Sequence, residues 1–388
     1  PGQQNVVSGN LGSVGIVILG SSITSNVLQG NLIGLGSDGL TVLPNRVGIE
    51  IESAGNTIGG SLIGAGNVIS GNTDVGLLIQ GSAATGNVVQ GNIIGLDATG
   101  QFARANGIGL WIDAAGNTIG GTGSQVANVI SGNAGTGLRI VGAVSSGNVI
   151  QGNVIGTDVT GTLALGNGGH GIEVAAGAYG NLIGGVLPAH ANLIASNGGA
   201  GIAVTDSAST GNALLGNRFH DNAGLAIDLG DDGPTANDPS DTDAGPNDLQ
   251  NTPTIDDVLA DGANSRIRGS LVTEPYRSYR IEFFASSSNA PGSAETLLGH
   301  LDVTTVSDGL VIFVFDTTTA PITAGTWVRA TATQADAGFS VFGSTSELSA
   351  AVQAFASAPP TGTGAILASN EDTTAVITAA LFGFSDVN

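Results

Sequence analysis

The densest group of side chains that could do chemistry lies in an acidic segment between residues 231 and 248. Its oxygen donors are interleaved with glycine and proline, and they are Asp231, Asp232, Asp238, Asp241, Asp243, Asn247 and Asp248. Carboxylate and amide oxygens on a flexible loop are the ligands that Ca²⁺ prefers, and it takes about six to eight of them. We therefore predict a structural Ca²⁺ site in this segment. A solvated acidic linker is the alternative interpretation.

A second group occupies one position of three successive sequence repeats, and it consists of Trp111, Arg139 and Glu173. Equivalent residues of stacked strands lie about 4.8 Å apart, so these side chains should form a row on the surface. Arg139 and Glu173 are then an exposed ion pair worth about 0–1 kcal/mol, and Trp111 beside Arg139 makes a cation–π contact. An exposed indole flanked by charges is also typical of a sugar-binding platform. The row therefore has two interpretations, a surface ladder and a glycan contact.

The remaining polar residues do not predict catalysis. Hydrolysis of a glycosidic bond needs a pair of carboxylates about 5 to 9.5 Å apart, and the acids of the first 230 residues are few and scattered. Asp97 and Asp158 stand in Asp-x-Thr-Gly sequences, which favour Asx-turns. His170 lies in a Gly-His-Gly sequence, but the chain has no lysine to complete a polygalacturonase-like set. The sequence predicts no catalytic residue, and it leaves open whether the chain is an enzyme.

The elements that position these groups are repeats of about 30 residues. Asparagine recurs in two series, and glycine recurs in a third. The first series is Asn26, Asn56, Asn87, Asn117, Asn148, Asn181 and Asn212; the second is Asn5, Asn31, Asn67, Asn92, Asn128, Asn153, Asn192 and Asn217; the glycines are Gly15, Gly48, Gly76, Gly109, Gly137, Gly171, Gly201 and Gly224. A fixed period of this length indicates a solenoid built from stacked copies of one unit.

Each repeat contains three short apolar segments. Aliphatic residues follow each glycine at the first and third positions, as Leu138 and Ile140 do, and this alternation is typical of a strand with one buried face. The position between them should face outward, and it holds Trp111, Arg139, Glu173, Ala203 and Ala226 in successive repeats. The 64 glycines exclude a helical solenoid. We predict an all-β protein in which residues 1–230 form a right-handed parallel β-helix of about seven to eight coils, with three strands per coil.

The composition excludes several partners. The net charge is −22, which argues against nucleic acids and anionic membranes. No apolar run reaches the roughly 18 residues that a membrane-spanning helix needs. The chain has no cysteine, so it forms no disulfide. Because Asn5 already belongs to the second series, we expect the chain to be part of a longer protein whose secretion signal lies outside it.

The pattern changes after residue 230. Residues 231–252 are predicted to be an acidic segment that caps the β-helix and joins it to the next domain. Residues 253–352 contain longer apolar segments, such as Tyr279–Phe284, which predict an antiparallel β-sandwich. Residues 353–365 are rich in Ala, Ser, Pro, Thr and Gly and are predicted to be a linker. Residues 366–388 are predicted to begin a further module.

Several sequences carry a family resemblance. Gly-Asn-Thr-Ile-Gly-Gly, Asn-Val-Ile-Ser-Gly-Asn and Ile-Gly-Thr-Asp-Val-Thr-Gly-Thr resemble the parallel β-helix repeats of very large secreted bacterial surface proteins. Residues 225–251 are similar to the segment that closes such β-helices. The sandwich, with Tyr-Arg-Ile-Glu-Phe-Phe-Ala, resembles the Ig-like module that commonly follows. Residues 370–386 look like the start of a cadherin-like repeat of giant adhesins.

This resemblance implies a non-catalytic structural or adhesive segment at the bacterial cell surface. Its partner would be an extracellular glycan or another cell-surface molecule. The alternative is a β-helix that acts on a polysaccharide, as a lyase or hydrolase, or that binds one. The sequence also allows self-association, either by end-to-end stacking of coils or by donation of the segment 373–381 to a neighbour.

Overall fold

The computed structural model of the protein describes residues 4–20, 23–123, 125–261, 265–317 and 321–356. Within these ranges, short parallel strands form three sheets. Sheet 1 contains β1 (Val6–Val7), β4 (Leu32–Ile33), β7 (Val68–Ile69), β10 (Ile93–Ile94), β13 (Val129–Ile130), β16 (Val154–Ile155), β19 (Leu193–Ala195) and β22 (Arg218–His220). Sheet 2 contains β2 (Val14–Leu19), β5 (Val47–Glu52), β8 (Val75–Gln80), β11 (Ile108–Asp113), β14 (Leu138–Val141), β17 (Ile172–Ala175), β20 (Ile202–Val204) and β23 (Ile227–Leu229). Sheet 3 contains β3 (Val27–Leu28), β6 (Thr57–Gly59), β9 (Val88–Gln90), β12 (Thr118–Gly120), β15 (Val149–Gln151), β18 (Leu182–Gly184) and β21 (Ala213–Leu215).

Each strand pairs in parallel with its equivalent in the next coil, so the predicted parallel β-helix is confirmed. The inward residues of all three sheets form one aliphatic core, and Ile58, Ile94 and Ile140 are among its fully buried members. Burial of such a side chain contributes about 1.5–3 kcal/mol. A short 3₁₀ turn, Pro188–His190, lies in a loop before β19. Stacked aliphatic ladders therefore position every outward side chain of the rod.

The asparagines form side-chain ladders that run the length of the rod. The Nδ2 atom of one asparagine donates to Oδ1 of its equivalent in the next coil, for example from Asn92 to Asn128 over 3.0 Å. Both predicted series behave in this way. A third ladder, which the sequence prediction missed, contains Asn10, Asn45, Asn72, Asn106, Asn133, Asn167, Asn197 and Asn222. The turns at all three corners of each coil are thus tied to their neighbours by amide hydrogen bonds.

The glycine series is explained by close approach of the next coil. A Cβ atom added to Gly109 would lie 2.5 Å from the carbonyl oxygen of Gly137. The last coil breaks the series, because the residue that lies beside Gly201 in the strand register is Ala226 and not Gly224. An alanine fits there because no further coil packs against this position. The predicted outward position of Ala226 is therefore wrong. Asp228 pairs with Ala203 and ends the outward column of sheet 2.

The C-terminal part is a sandwich of two further sheets, as predicted. Sheet 4 has the order β28 (Leu310–Thr317), β25 (Ser265–Val272), β24 (Thr254–Ala260) and β32 (Phe355–Ala356). Sheet 5 has the order β27 (Thr296–Thr304), β26 (Ser278–Ser286), β29 (Trp327–Ala335) and β30 (Phe342–Thr345), and β31 (Val352–Gln353) also pairs with β29. Neighbouring strands are antiparallel except for the short β24–β32 pair. Tyr279, Ile281 and Phe283 of β26 lie in the core between the two sheets.

The opposite face of sheet 5 covers the last coil of the β-helix. Phe284 of β26 and Ala294 belong to the same hydrophobic cluster as the β-helix core. Backbone N–H groups of the last coil donate to side chains of the sandwich, including Leu214 to Thr345 Oγ1 over 2.8 Å and Leu229 to Glu347 Oε1 over 2.9 Å. Uncovered strand edges invite pairing with other chains. The sandwich therefore closes this end of the rod, and the end is not available for stacking between copies.

The acidic segment contributes less to this closure than the sequence predicts. Its most deeply buried side chain is that of Asn247, which lies in a short 3₁₀ turn, Pro246–Leu249, and extends the first asparagine ladder by one step. Of the predicted linker at 353–365, Gln353, Phe355 and Ala356 lie in β31 and β32. The rest of the linker from residue 357, the predicted module at 366–388 and the segment 373–381 lie outside the described residues. Among the described residues, no helix has the length and apolar character needed to cross a membrane.

Candidate functional site

The outward column of sheet 2 brings together the three residues predicted from the repeat. Trp111 pairs in register with Arg139, and Arg139 pairs with Glu173. The guanidinium carbon of Arg139 lies 4.9 Å from the centre of the Trp111 ring, and its Nε lies 3.0 Å from Glu173 Oε2. The Arg139 and Glu173 side chains are 30% and 14% exposed. This pair is therefore partly shielded from water, unlike a fully exposed ion pair.

The stacking of Arg139 limits what Trp111 can bind. The guanidinium covers one face of the indole, and the neighbour on the other side of the ladder is Leu78. A sugar ring that stacks on tryptophan needs an open ring face. A glycan at this position would have to contact the edge of the ring or displace Arg139.

A carboxylate pair on the same sheet was missed by the sequence analysis. Glu50 and Glu52 both face outward from β5, and Nε2 of Gln80 donates to the two carboxylates over 2.5 and 2.9 Å. Burial, followed by the neighbouring Glu52, raises the pKa of Glu50. The signal in the sequence was the alternation Glu50-Ile51-Glu52, which places both acids on one face of a strand. The pair lies two coils from Trp111 along the ladder.

The turn interpretation of Asp97 and Asp158 is confirmed. Asp97 Oδ1 accepts hydrogen bonds from the backbone N–H groups of Thr99 and Gln101, and Asp158 Oδ1 accepts from those of Thr162 and Leu163. Burial by itself would raise the pKa of each carboxyl, but these hydrogen bonds lower it. Both side chains hold loops in place and are not arranged as a catalytic pair.

The structure brings three of the seven predicted Ca²⁺ ligands together. One carboxylate oxygen from each of Asp238, Asp241 and Asp243 lies within 4.8 Å of the others. The other four residues are not part of this cluster. Asp231 and Asp232 are exposed, and Asp231 lies 3.6 Å from His170 Nε2. Asp248 accepts a hydrogen bond from Ser344. Both polar atoms of the buried Asn247 amide form hydrogen bonds in the asparagine ladder.

The environment of the three aspartates fits a bound cation. Asp238 Oδ1 is buried and has no hydrogen-bond partner. Asp241 accepts from Gln250, Thr273 and the N–H of Asn251, and burial raises its pKa to about 6. A buried acceptor without a partner costs about 1–3 kcal/mol unless another ligand satisfies it. Asp241 and Asp243 border a polar cleft of about 660 Å³ between the acidic segment and the sandwich.

Two further carboxylates, also missed from the sequence, lie in the joint between the β-helix and the sandwich. Glu282 accepts a hydrogen bond from the N–H of Gly216 over 2.9 Å, and Glu347 accepts from the N–H groups of Leu229 and Thr235. Both glutamates are almost fully buried. Neither has a salt-bridge partner among the described residues. They serve as acceptors for the unpaired edge of the last coil.

Burial raises the pKa of Glu282 to about 7, and the bond from Gly216 and the charge of Arg280 oppose this shift only in part. The protonated carboxyl is therefore favoured in the folded state. Its contribution to stability is present below pH 4.5, its ordinary pKa, and is lost as the pH rises through about 7. A shift of this size corresponds to about 3 kcal/mol.

Glu282→Gln should remove this pH dependence, because glutamine keeps the acceptor for Gly216 but does not ionise. We expect the free energy of unfolding of the wild type, relative to the variant, to fall by about 3 kcal/mol between pH 4 and pH 8. Urea unfolding of both proteins across this range measures the difference, in which the titration of all other carboxyls cancels. A constant difference would contradict the assignment.

Comparison with known proteins gives no family. No protein-family model matches the chain, and no match was found among curated proteins. Two solved structures are similar to it at 11% identity over 86% of this chain. They are the enzymatically active domain of bacteriophage CBA120 tailspike protein 2 (TM-score 0.28, 55% of that chain) and the full-length tailspike protein 2 from Escherichia coli O157:H7 bacteriophage CAB120 (TM-score 0.26, 49% of that chain). The chain thus spans about half the length of each, and these distant likenesses carry no argument about its function.

Proposed function

We propose that this chain is a non-catalytic structural segment, a stiff β-helical rod joined in a fixed orientation to the sandwich. The observation that supports it is the single hydrophobic core that continues from the β-helix into the joint through Phe284 and Ala294. Three asparagine ladders stiffen the rod itself. Gln80 bridges the carboxylates of Glu50 and Glu52, and Arg139 both stacks on Trp111 and pairs with Glu173. The polar groups of both sets are therefore already engaged, and neither set resembles a prepared catalytic site.

A distance distribution between the two domains tests this proposal. The chain has no cysteine, so Thr122→Cys and Ser307→Cys provide a clean pair of exposed sites for spin labels. A rigid joint gives one narrow distribution of distances in a pulsed electron-spin measurement. A broad or double distribution would show that the domains move independently, and the rod interpretation would fail.

The proposed location is the outside of a bacterial cell, as the family resemblance implies. An acidic chain without cysteine and with tightly tied turns suits a protease-rich environment. Antibodies raised against this chain should label intact cells of the source organism. Labelling that appears only after lysis would refute an extracellular location.

We further propose that Asp238, Asp241 and Asp243 hold a structural Ca²⁺. The ion would give the orphaned Asp238 Oδ1 a partner, and the cleft offers further oxygens from Thr242 and Asp248. Because Asp241 also bonds to Thr273, which follows β25, the ion would tie the acidic segment to the sandwich.

Removal of Ca²⁺ is therefore expected to destabilise the junction. A ligand at 100 times its dissociation constant contributes about 2.7 kcal/mol to stability, which corresponds to a fall in Tm of several degrees when EGTA is added. Asp243→Asn should abolish the EGTA effect, because Asp243 is exposed and is one of the three clustered acids. Asp256→Asn, at an exposed position outside the cluster, is the matched control. An unchanged melting curve with EGTA and Ca²⁺ add-back would leave the segment as a solvated linker.

Glycan binding on sheet 2 is the second candidate function. It is favoured by a partly buried indole, Trp111, between the Glu50–Glu52 pair and the Arg139–Glu173 pair, which offer hydrogen bonds to hydroxyl groups. Trp111→Ala should lower binding on a glycan array at least tenfold, because a glycan on this face contacts the indole edge, or displaces Arg139 from the ring, and large aromatic anchors dominate binding energy. Phe102→Ala, an exposed aromatic in a loop, is the control. Absence of binding, or equal binding by both variants, would dismiss this candidate.

A further inference from the structure

Strand β28 lies at an edge of the sandwich and exposes apolar side chains. Among the described residues, its partner in sheet 4 is β25, on one side only. Ile312 and Val314 face outward and are 75% and 50% exposed, while Phe313 between them is buried in the sandwich core. Alternate residues of an edge strand turn their N–H and C=O groups away from the sheet. Between Leu310 and Asp316 this edge therefore offers both backbone hydrogen bonds and apolar surface.

The other described edges of the sandwich are protected in ways that β28 is not. Short length, bulges, inward or flanking charges and covering segments are the usual devices against edge pairing. The edge strand β32 has two residues, and β30 packs on the last coil of the β-helix. The edge strand β27 has a register shift opposite Phe283 and carries His300 and Asp302. β28 is eight residues long, has no proline and carries one charge, at Asp316.

The charges around β28 are compatible with a second copy of the same chain. A net charge of −22 opposes self-association over most of the surface. On this face, however, Arg266 is 2.7 Å from Asp316 and Arg268 is 2.8 Å from Asp257, so these four charges cancel in two pairs. Two copies can therefore approach here without the repulsion that operates elsewhere.

We propose that β28 is a self-pairing edge at which two copies of the chain join their sheets 4 by an antiparallel β28–β28 contact. An antiparallel pair of identical strands has two-fold symmetry, so the contact is closed and gives a dimer rather than a fibre. In the register centred on Phe313, Ile312 lies opposite Val314 of the second copy. This register places Asp316 opposite Leu310 of the second copy, away from the other Asp316.

Sedimentation velocity over a range of protein concentrations tests the dimer. We expect a reversible monomer–dimer equilibrium, and we expect Ile312→Lys and Val314→Lys each to weaken it at least tenfold. Both residues are exposed, so these variants should melt like the wild type. Leu62→Lys is the matched control, because Leu62 is 77% exposed in a β-helix loop far from sheet 4. A monomer at every concentration, or a dimer insensitive to both β28 variants, would overturn the proposal.

A cross-linking experiment tests whether the two copies meet at β28 in the proposed register. Ile312→Cys and Val314→Cys proteins are prepared separately in this cysteine-free chain and are then mixed under mild oxidation. The proposed register predicts a disulfide-linked heterodimer at a yield several-fold above that of either protein alone. A dimer in sedimentation that gives no enriched cross-link would assign self-association to another surface, such as the first coil of the β-helix.

Discussion

Replacing Asn128 with alanine is expected to lower the free energy of unfolding by about 3–5 kcal/mol. Asn128 is fully buried in the middle of its ladder. Its Nδ2 donates to Val89 O over 2.8 Å and to Asn153 Oδ1 over 2.9 Å, and its Oδ1 accepts from both the backbone N and the Nδ2 of Asn92 over 3.0 Å. Alanine removes four hydrogen bonds and leaves several buried groups without partners, each worth about 1–3 kcal/mol.

The control for this variant belongs to the same ladder. Asn5 is exposed at the first coil and donates one ladder bond, to Asn31. Asn5→Ala should therefore lower the free energy of unfolding by no more than about 1 kcal/mol. Urea unfolding of the two variants side by side gives the comparison. Equal losses would mean that the ladder does not stabilise the rod through buried hydrogen bonds.

The architecture was predictable because each coil repeats the same constraints. The glycine at Gly109 is required by the carbonyl oxygen of the next coil, and the asparagines are required by the ladders, so both recur with the coil period. The third ladder was missed because its asparagines are not followed two positions later by a common apolar residue, as Asp74 and Gly135 show. Its intervals also vary, for example 27 residues from Asn45 to Asn72 and 34 from Asn72 to Asn106. Loops inserted on alternate coils shift this corner in sequence without moving it in space.

The joint could not be predicted from the strand pattern. Tyr279 to Phe284 alternates polar and apolar residues, which normally indicates one face toward water. In the structure the second face, with Glu282, meets the backbone edge of the last coil instead. A strand face that packs on the polar backbone edge of another domain carries the same alternation of polar and apolar residues as a face that contacts water. Only the pairing of distant segments, such as Gly216 with Glu282, distinguishes the two.

The acidic segment shows the same limit at a site. Its composition predicts Ca²⁺ ligands, but composition does not say which acids converge. Ser240 and Asp241 both have positive φ, 64° and 54°, and this local reversal turns Asp241 back toward Thr273. Asn247, four positions after Asp243, continues away into the ladder. Three of the seven donors are clustered because of backbone conformation that the sequence alone does not specify.

The adjacent residues Phe283 and Phe284 allow the joint to be tested separately from the sandwich. They lie on opposite faces of β26. Phe283 stacks on Phe315, with 4.6 Å between the ring centres, in the sandwich core. Phe284 is 3% exposed and belongs to the core of the β-helix. Truncation of either removes a similar volume, so a difference between the variants reports on position alone.

Phe284→Ala is expected to cost about 3–5 kcal/mol and to uncouple the two domains. The cavity opens the end of the β-helix core, so calorimetry should show two separate transitions, and amide exchange should speed up at Gly211, Leu214 and Leu229 of the last coil. Phe283→Ala should weaken the sandwich to a similar extent while the β-helix transition keeps its temperature. If Phe284→Ala instead leaves a single transition and a protected last coil, the continuous core does not hold the joint together. The rigidity of the joint would then have to come from the hydrogen bonds of the last coil to Glu282, Thr345 and Glu347.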